Sequence, residues 1–303
     1  MRLAYVSIYV GVALGLTGAL HVAEVPDIFA ALNAYEAEDY AGCAQVMAAL
    51  QRSSGELPQN GELLRAECLA AAKQTDEAIR YLEEEIPRGR ISIEDLRSKD
   101  RPGLNRLRKT DGWPALLAKA ERISAQQQTA LNPQLRQELL ARVEKDQHAQ
   151  NAAITAGGKP ADWASIVPVM RENTEWLKQV VATQGWPGRH LVGEDGANAA
   201  WTLIQHSDAD PAFQAQALAL MEAALARHDV APDDVALLTD RVLRAQGKPQ
   251  CYGTQFVTDP DGSKSLAPTE DLAGLDARRR RMGLPPMDQY KRMLEDVYHR
   301  PVH

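Results

Sequence analysis

The side chains best suited to moving a proton or gripping an anion fall between His206 and Gln255. His206 ends the run Ala197–Gln205, and Asp208 and Asp210 follow at once. An imidazole beside acids is a candidate general acid or base. The same placement at a helix C-terminus, where the dipole favours the protonated ring, equally suits a capping or core histidine. Asp240 and Arg241 lie in Val235–Leu243, whose Val235, Leu238 and Val242 form an apolar face that the charged pair points away from. Asp240 is the candidate to orient His206, which makes these two the candidate catalytic residues. Arg241 has the planar fork that holds a carboxylate or phosphate, or that ties its helix to a neighbour through an ion pair.

Gln250, Tyr252 and Gln255 complete the set as candidate substrate-binding residues. On a strand, alternation aims Gln250 and Tyr252 to one face and Gln255 to the other, and Gly253 permits close backbone approach. Amides and a phenol orient a ligand better than they transfer protons, and they equally build a buried network. His206, Asp208 and Asp210 are metal-ligand types, but no paired-histidine spacing accompanies them, so neither a metal nor a cofactor is assigned. No phosphate loop, nucleophile elbow or zinc-protease motif occurs.

Helices must position these residues. The pattern predicts them at about 133–154, 162–183, 195–206, 210–227, 232–245, 270–282 and 286–297, opened by Asn132-Pro133, Asp162, Asp195, Asp210-Pro211 and Pro232-Asp233. The exception is Tyr252–Val257 followed by Asp259-Pro260-Asp261-Gly262, beta-prone residues before a turn, which predict a small hairpin. Gly185-Trp186-Pro187 reads as a tight turn with a packing tryptophan. The polar stretch 124–132, with its three consecutive glutamines, reads as the linker that begins a domain at about residue 130.

Upstream, residues 25–123 are rich in Ala, Leu and Glu and recur in helical pairs, broken at Ser53-Ser54-Gly55 and Pro87-Arg88-Gly89. One helix opens at Glu38–Cys43 and another at Lys73–Ala78, so that Cys43 and Ala78 correspond at an offset of 35. A small residue at each lets the paired helices lie close. The stretch resembles tetratricopeptide hairpins. Leu104–Arg108 and Gly112–Leu117 are similar to a segment that closes such repeats in exported bacterial proteins, with Trp113 as a packing anchor.

The first 19 residues run from basic Met1-Arg2 through an uncharged apolar stretch to Thr17-Gly18-Ala19, the order of a secretory signal peptide cut after Ala19. An uncleaved membrane anchor reaching Val22 or Ala23 is the other reading. Either places the body outside the cytoplasm, periplasmic or secreted. There Cys43 and Cys68, on neighbouring helices, form a disulfide or remain two buried thiols.

The composition narrows the partners. With 34 basic and 41 acidic side chains the net charge is −7, which disfavours a nucleic-acid surface. The run Arg278–Arg281 spreads around its helix and is expected to spend one or two members on acids.

From about Asn132 to Arg300 the chain resembles an uncharacterised bacterial family, a domain of unknown function. Asp146-Gln147, Gly185-Trp186-Pro187, Val192-Gly193, Gln205-His206, Asp240-Arg241, Gln250–Gln255, and Arg278-Arg279 with Gly283–Pro286 carry the match. The resemblance implies a helical fold with a shared polar set, and it brings no activity, cofactor or substrate. Its pattern leaves position 251 open, which makes Cys251 a poor nucleophile.

The expected molecule is therefore mainly α: helical hairpin repeats followed by an α-helical domain with one small β-hairpin. The leading function is an exported envelope protein that binds a protein or peptide partner as a scaffold, touching the membrane only if the N-terminal segment stays attached. The alternative is a hydrolase-like enzyme with His206 and Asp240 as its acid–base pair and Arg241 and Gln255 holding an anionic or peptide-like substrate. It requires His206 and Asp240 within hydrogen-bond reach.

Overall fold

Two identical helix endings, 35 residues apart, organise the N-terminal part of the computed structural model, which describes residues 28–54, 57, 61–88, 91, 93–128, 131–155 and 164–303. Helix α1 (Ile28–Glu36) turns into α2 (Tyr40–Ser54), and α3 (Gly61–Ala71) turns into α4 (Thr75–Glu85). In the first turn Glu38 N–H donates to Tyr35 C=O and Asp39 N–H to Ala34 C=O, at 3.1 and 2.9 Å. In the second, Lys73 N–H donates to Ala70 C=O and Gln74 N–H to Leu69 C=O, at 3.0 and 2.9 Å. Both pairs cap the last carbonyls through a residue in the left-handed region, Glu38 at φ 61° and Lys73 at φ 69°. The small residues at the matching positions, Cys43 and Ala78, are fully buried.

A disulfide joins Cys43 of α2 to Cys68 of α3 across a Cα separation of 5.6 Å. Beyond a 3₁₀ turn at Ile86–Arg88 come α5 (Ile93–Ser98), α6 (Pro102–Leu107) and α7 (Trp113–Gln128). Gly103 lets α6 press onto α3, since a Cβ there would lie 2.2 Å from Glu67 C=O. Leu104, Leu107 and Trp113 are buried in the same apolar cluster as Met47, Leu63 and Leu82. The expected linker is shorter than its composition implied: α7 continues through the glutamines to Gln128, and the chain divides into two compact units between Ser124 and Ala125. The export segment, the breaks at Gly55 and Gly89 and the helix opening at Asp162 lie outside the described residues.

The C-terminal unit opens with α8 (Pro133–Thr155), whose Asn132 side chain accepts from Leu135 N–H at 3.0 Å. There follow α9 (Val167–Gln184) and α10 (Arg189–Gln205), the latter kinked at Gly193, φ 76°. Next come α11 (Pro211–Leu225), capped by Asp210 on Phe213 N–H at 3.0 Å, and α12 (Pro232–Ala245). Leu139, Leu177, Leu203, Ile204, Met221 and Leu238 form the centre of its core. Gly185, φ 76°, ends α9, and buried Trp186 packs behind the turn.

Strands β1 (Phe256–Thr258) and β2 (Lys264–Leu266) pair antiparallel, Val257 opposite Ser265. The chain then forms a 3₁₀ turn at Leu272–Gly274, α13 (Leu275–Arg281) and α14 (Met287–Tyr298). The last residues return beside β2: Lys264 N–H donates to Pro301 C=O, Leu266 N–H to His303 C=O and His303 N–H to Lys264 C=O, at 2.9, 3.0 and 2.7 Å. The protein is thus mainly α, with one small two-stranded sheet among the described residues.

The strand expected from Tyr252 starts only at Phe256. The residues before it lose their alternation because their N–H groups are turned toward a single carboxylate, described next.

Candidate functional site

A helix brings residues four apart onto one face, and so Asp146 and Gln150 of α8 point together. Both meet His206, which caps the C-terminus of α10. His206 Nδ1 lies 2.6 Å from Asp146 Oδ2. Asp146 is only 1 % exposed, and its carboxylate also accepts from the side chains of Gln147 and Gln150, at 3.3 and 3.0 Å. The Gln150 amide nitrogen approaches both ring nitrogens, Nδ1 at 2.8 Å and Nε2 at 3.2 Å. With Asp146 as an acceptor, the 2.6 Å contact assigns the ring hydrogen to Nδ1 and one hydrogen of the Gln150 amide to Asp146. A flipped amide would set two oxygens against each other.

Neighbouring helices brace this arrangement. Thr174 of α9 donates to Ser207 Oγ at 2.9 Å, and Ser207 donates to Leu203 C=O at 2.9 Å. Gln214 of α11 donates to Ile204 C=O and to Asp208, at 3.1 and 3.2 Å. Arg241 of α12 grips both Asp208 oxygens through one guanidinium nitrogen, at 2.7 and 2.9 Å. His206, Asp208 and Arg241 therefore share one end of α10.

Asp240, one residue before, serves a different purpose. It is fully buried, and its carboxylate collects the N–H groups of Cys251 (2.7 Å), Tyr252 (2.9 Å) and Thr254 (2.9 Å) and the Thr254 hydroxyl (2.9 Å). The expected pairing of His206 with Asp240 is corrected on this point. Asp240 spends its oxygens on the 251–254 loop, and the carboxylate on the imidazole is Asp146. Gln250 is also fully buried and closes the loop on itself, donating to Gln255 C=O and Ala267 C=O at 2.9 and 3.1 Å and accepting from Gln255 N–H at 2.8 Å. Its amide is thus bonded to the chain on both sides. Gln255 turns its amide to Thr254 Oγ1 at 3.2 Å.

Tyr252 is half-buried, and burial first, then the nearby Cys251 and Asp240, raises its phenol above the ordinary value. Burial likewise pushes the Cys251 thiol up to about 11, which leaves it protonated and unreactive at neutral pH. The outer side of the loop is held by arginines. Fully buried Arg279 donates to Pro285 C=O and Tyr252 C=O, both at 2.6 Å, and stacks on the Tyr290 ring at 4.6 Å. Arg278 donates to Cys251 C=O at 2.9 Å and pairs with Asp271 at 3.0 Å. Of the expected acid pairs in the arginine run, one is made by Arg278, while Arg279 is spent on carbonyls.

The set read from the sequence thus divides in two. His206 and Arg241 stand at the end of α10, while Asp240, Gln250, Tyr252 and Gln255 belong to the clasped loop. Sequence reasoning missed Asp146 and Gln150 as partners of the imidazole. Their four-residue spacing was visible, but the 60-residue step from Asp146 to His206 was not. Among the described residues no three His, Cys, Asp or Glu side chains gather as a metal set.

No curated protein and no solved structure matches the chain. Residues 133–303, which contain α8 to α14, the clasped loop and the Asp146–His206 pair, match a family of unknown function, DUF6624. By that match over more than half of its length, the chain belongs to the DUF6624 family.

Proposed function

We propose that this chain is an exported bacterial envelope protein that works as a binding module, with tetratricopeptide-like hairpins contacting a protein or peptide partner. The observation that carries this reading is the pair of hairpins whose turns recur at 35 residues and which one buried disulfide staples together. Stacked hairpins present extended surfaces for partners. A structural disulfide belongs to an oxidising compartment, in keeping with a signal peptide over residues 1–19. A cleft of about 500 Å³ opens beside α4 and is lined by Asp76, Ile79, Arg80, Lys109 and Asp111. Its mixture of both charges with an apolar wall suits a peptide, and none of the C-terminal candidate residues lines it.

Two measurements test the reading. Expressed with its own N-terminus in a bacterial host, the protein should be recovered from the periplasm beginning at Leu20, with Cys43 and Cys68 linked. Recovery from the cytoplasm with both thiols free would overturn export. A displayed peptide library panned on the whole chain should then yield binders that the double variant Arg80→Glu, Lys109→Glu loses. Binders indifferent to that variant, or none, would defeat the peptide-binding role of the cleft.

A further inference from the structure

The end of α10 carries an arrangement that a pure binding scaffold does not need. A buried carboxylate, Asp146, holds an imidazole by Nδ1 at 2.6 Å, and the ring is 16 % exposed at its side chain. This geometry fixes the tautomer and leaves Nε2 as the basic atom, the orientation that general-base catalysis requires. The polar group given near Nε2 is the neutral Gln150 amide nitrogen at 3.2 Å, which lies nearer still to Nδ1, at 2.8 Å, and so does not commit the Nε2 lone pair. Two observations separate the site from ordinary helix capping. Gln214, and not the His206 ring, reaches the carbonyls of Ile204 and Gln205 at the helix end, at 3.1 and 3.4 Å, and Ser207 N–H also donates to Ile204 C=O at 3.1 Å. On the neighbouring helix α9, Asn173, 2 % exposed, accepts from Arg142 at 3.3 Å and keeps an amide nitrogen without a hydrogen-bond partner, and on α12 the buried Arg241 Nε is likewise unpartnered. Donors left unspent in this way are what a polar ligand would complete.

We propose that His206 Nε2 is the proton-transferring atom of a hydrolytic site for acyl compounds that carry a negative charge, with Asp146 as its positioning residue and Arg241, steadied by Asp208, as the anion-holding group. Nε2 takes a proton from water as the water oxygen bonds to the acyl carbon of an ester or amide. The proton then passes from Nε2 to the leaving oxygen or nitrogen as its bond to that carbon breaks. A carboxylic acid and an alcohol or amine result, and the imidazole returns to its starting tautomer. Asp146 keeps its charge throughout and stabilises the imidazolium between the two transfers.

The test uses the whole chain, disulfide intact, with the mono-p-nitrophenyl ester of glutaric acid as anionic probe and p-nitrophenyl acetate as neutral probe. The expected result is release of nitrophenolate above the buffer rate, reduced at least 100-fold in His206→Gln and unchanged in His190→Gln, whose ring pairs with Asp229 elsewhere. Arg241→Gln should raise KM for the anionic probe and leave the neutral probe as it was. A wild-type rate equal to buffer, or full activity in a folded His206→Gln protein, overturns the proposal. Because a variant at a buried carboxylate can fail to fold, the role of Asp146 is read first by nitrogen NMR on the labelled wild-type protein. The expected spectrum has the hydrogen of His206 on Nδ1, and a hydrogen on Nε2 instead overturns the assignment. In a folded Asp146→Asn variant that tautomer should invert and kcat should fall with KM unchanged, a split that a merely structural role would not produce.

Discussion

Asp240 holds Thr254 twice, by its backbone N–H and by its hydroxyl, each at 2.9 Å. With the N–H groups of Cys251 and Tyr252 this makes four hydrogen bonds to one buried carboxylate. Asp240→Asn preserves the shape but turns an amide NH₂ toward donors. Hydrogen bonds to charged groups contribute about 1.5–3 kcal/mol each when made, and a buried donor left unpaired costs about 1–3 kcal/mol. The variant should lose about 3 kcal/mol, which for a domain of this size lowers the melting temperature by roughly 6–12 °C. Calorimetry on the two proteins side by side decides it, and a shift under 2 °C would contradict the clasp.

The Cys43–Cys68 disulfide closes a 25-residue separation. Loop entropy puts its contribution at roughly 3 kcal/mol. The double variant Cys43→Ala, Cys68→Ala should unfold at correspondingly lower urea, with the loss confined to residues 28–124. Hydrogen exchange resolves the two units, and equal loss of protection in both would show that the bond does not act locally.

Glu38 and Lys73 occupy the left-handed position of their turns, where a side chain is disfavoured and glycine is at home. Lys73→Gly should stabilise the N-terminal unit by about 0.5–1 kcal/mol, and Glu38→Gly should do the same at the matching turn. Urea midpoints measure both. Destabilisation at either site would mean that its side chain makes a contact worth more than the backbone strain.

Glu67 is fully buried and pairs with Arg101 at 2.7 Å, with its second carboxylate oxygen unpartnered. Burial raises its carboxyl above the ordinary value, against the opposing pull of Arg101. A raised pKa in the folded state favours the protonated fold. The stabilising contribution is complete below about pH 4, where the unfolded carboxyl also protonates, and it is lost as pH rises through the higher folded value. Unfolding of the N-terminal unit followed from pH 4 to 8 should therefore show a loss of stability that Glu67→Gln removes. Parallel profiles for the two proteins would exclude Glu67 as its source.

Local chemistry made the helices readable. Asn132 and Asp210 cap α8 and α11 as their side chains dictate, and the face formed by Val235, Leu238 and Val242 is buried over the full length expected for α12. Failures came where distant groups intervened. Tyr252–Gln255 has strand propensity, but Asp240 captures the N–H groups that a strand would have offered to a neighbour. The helix opening read at Asp195 is met close by, because the non-helical Gly193 divides α10 and the segment that runs on to Gln205 begins beside Asp195, which accepts from Gly196 N–H at 2.8 Å and holds Arg136. For His206 the sequence offered Asp208, Asp210 and Asp240 as partners, and only tertiary packing selects Asp146.

The return of residues 301–303 alongside β2 bears on what that strand edge can still bind. A strand with an unpaired edge is a template on which another molecule can add its own backbone. Here the N–H groups of Lys264 and Leu266 are already taken, and Val302 is buried against them. A backbone approaching that edge would find the donors at positions 264 and 266 already spent on residues 301 and 303.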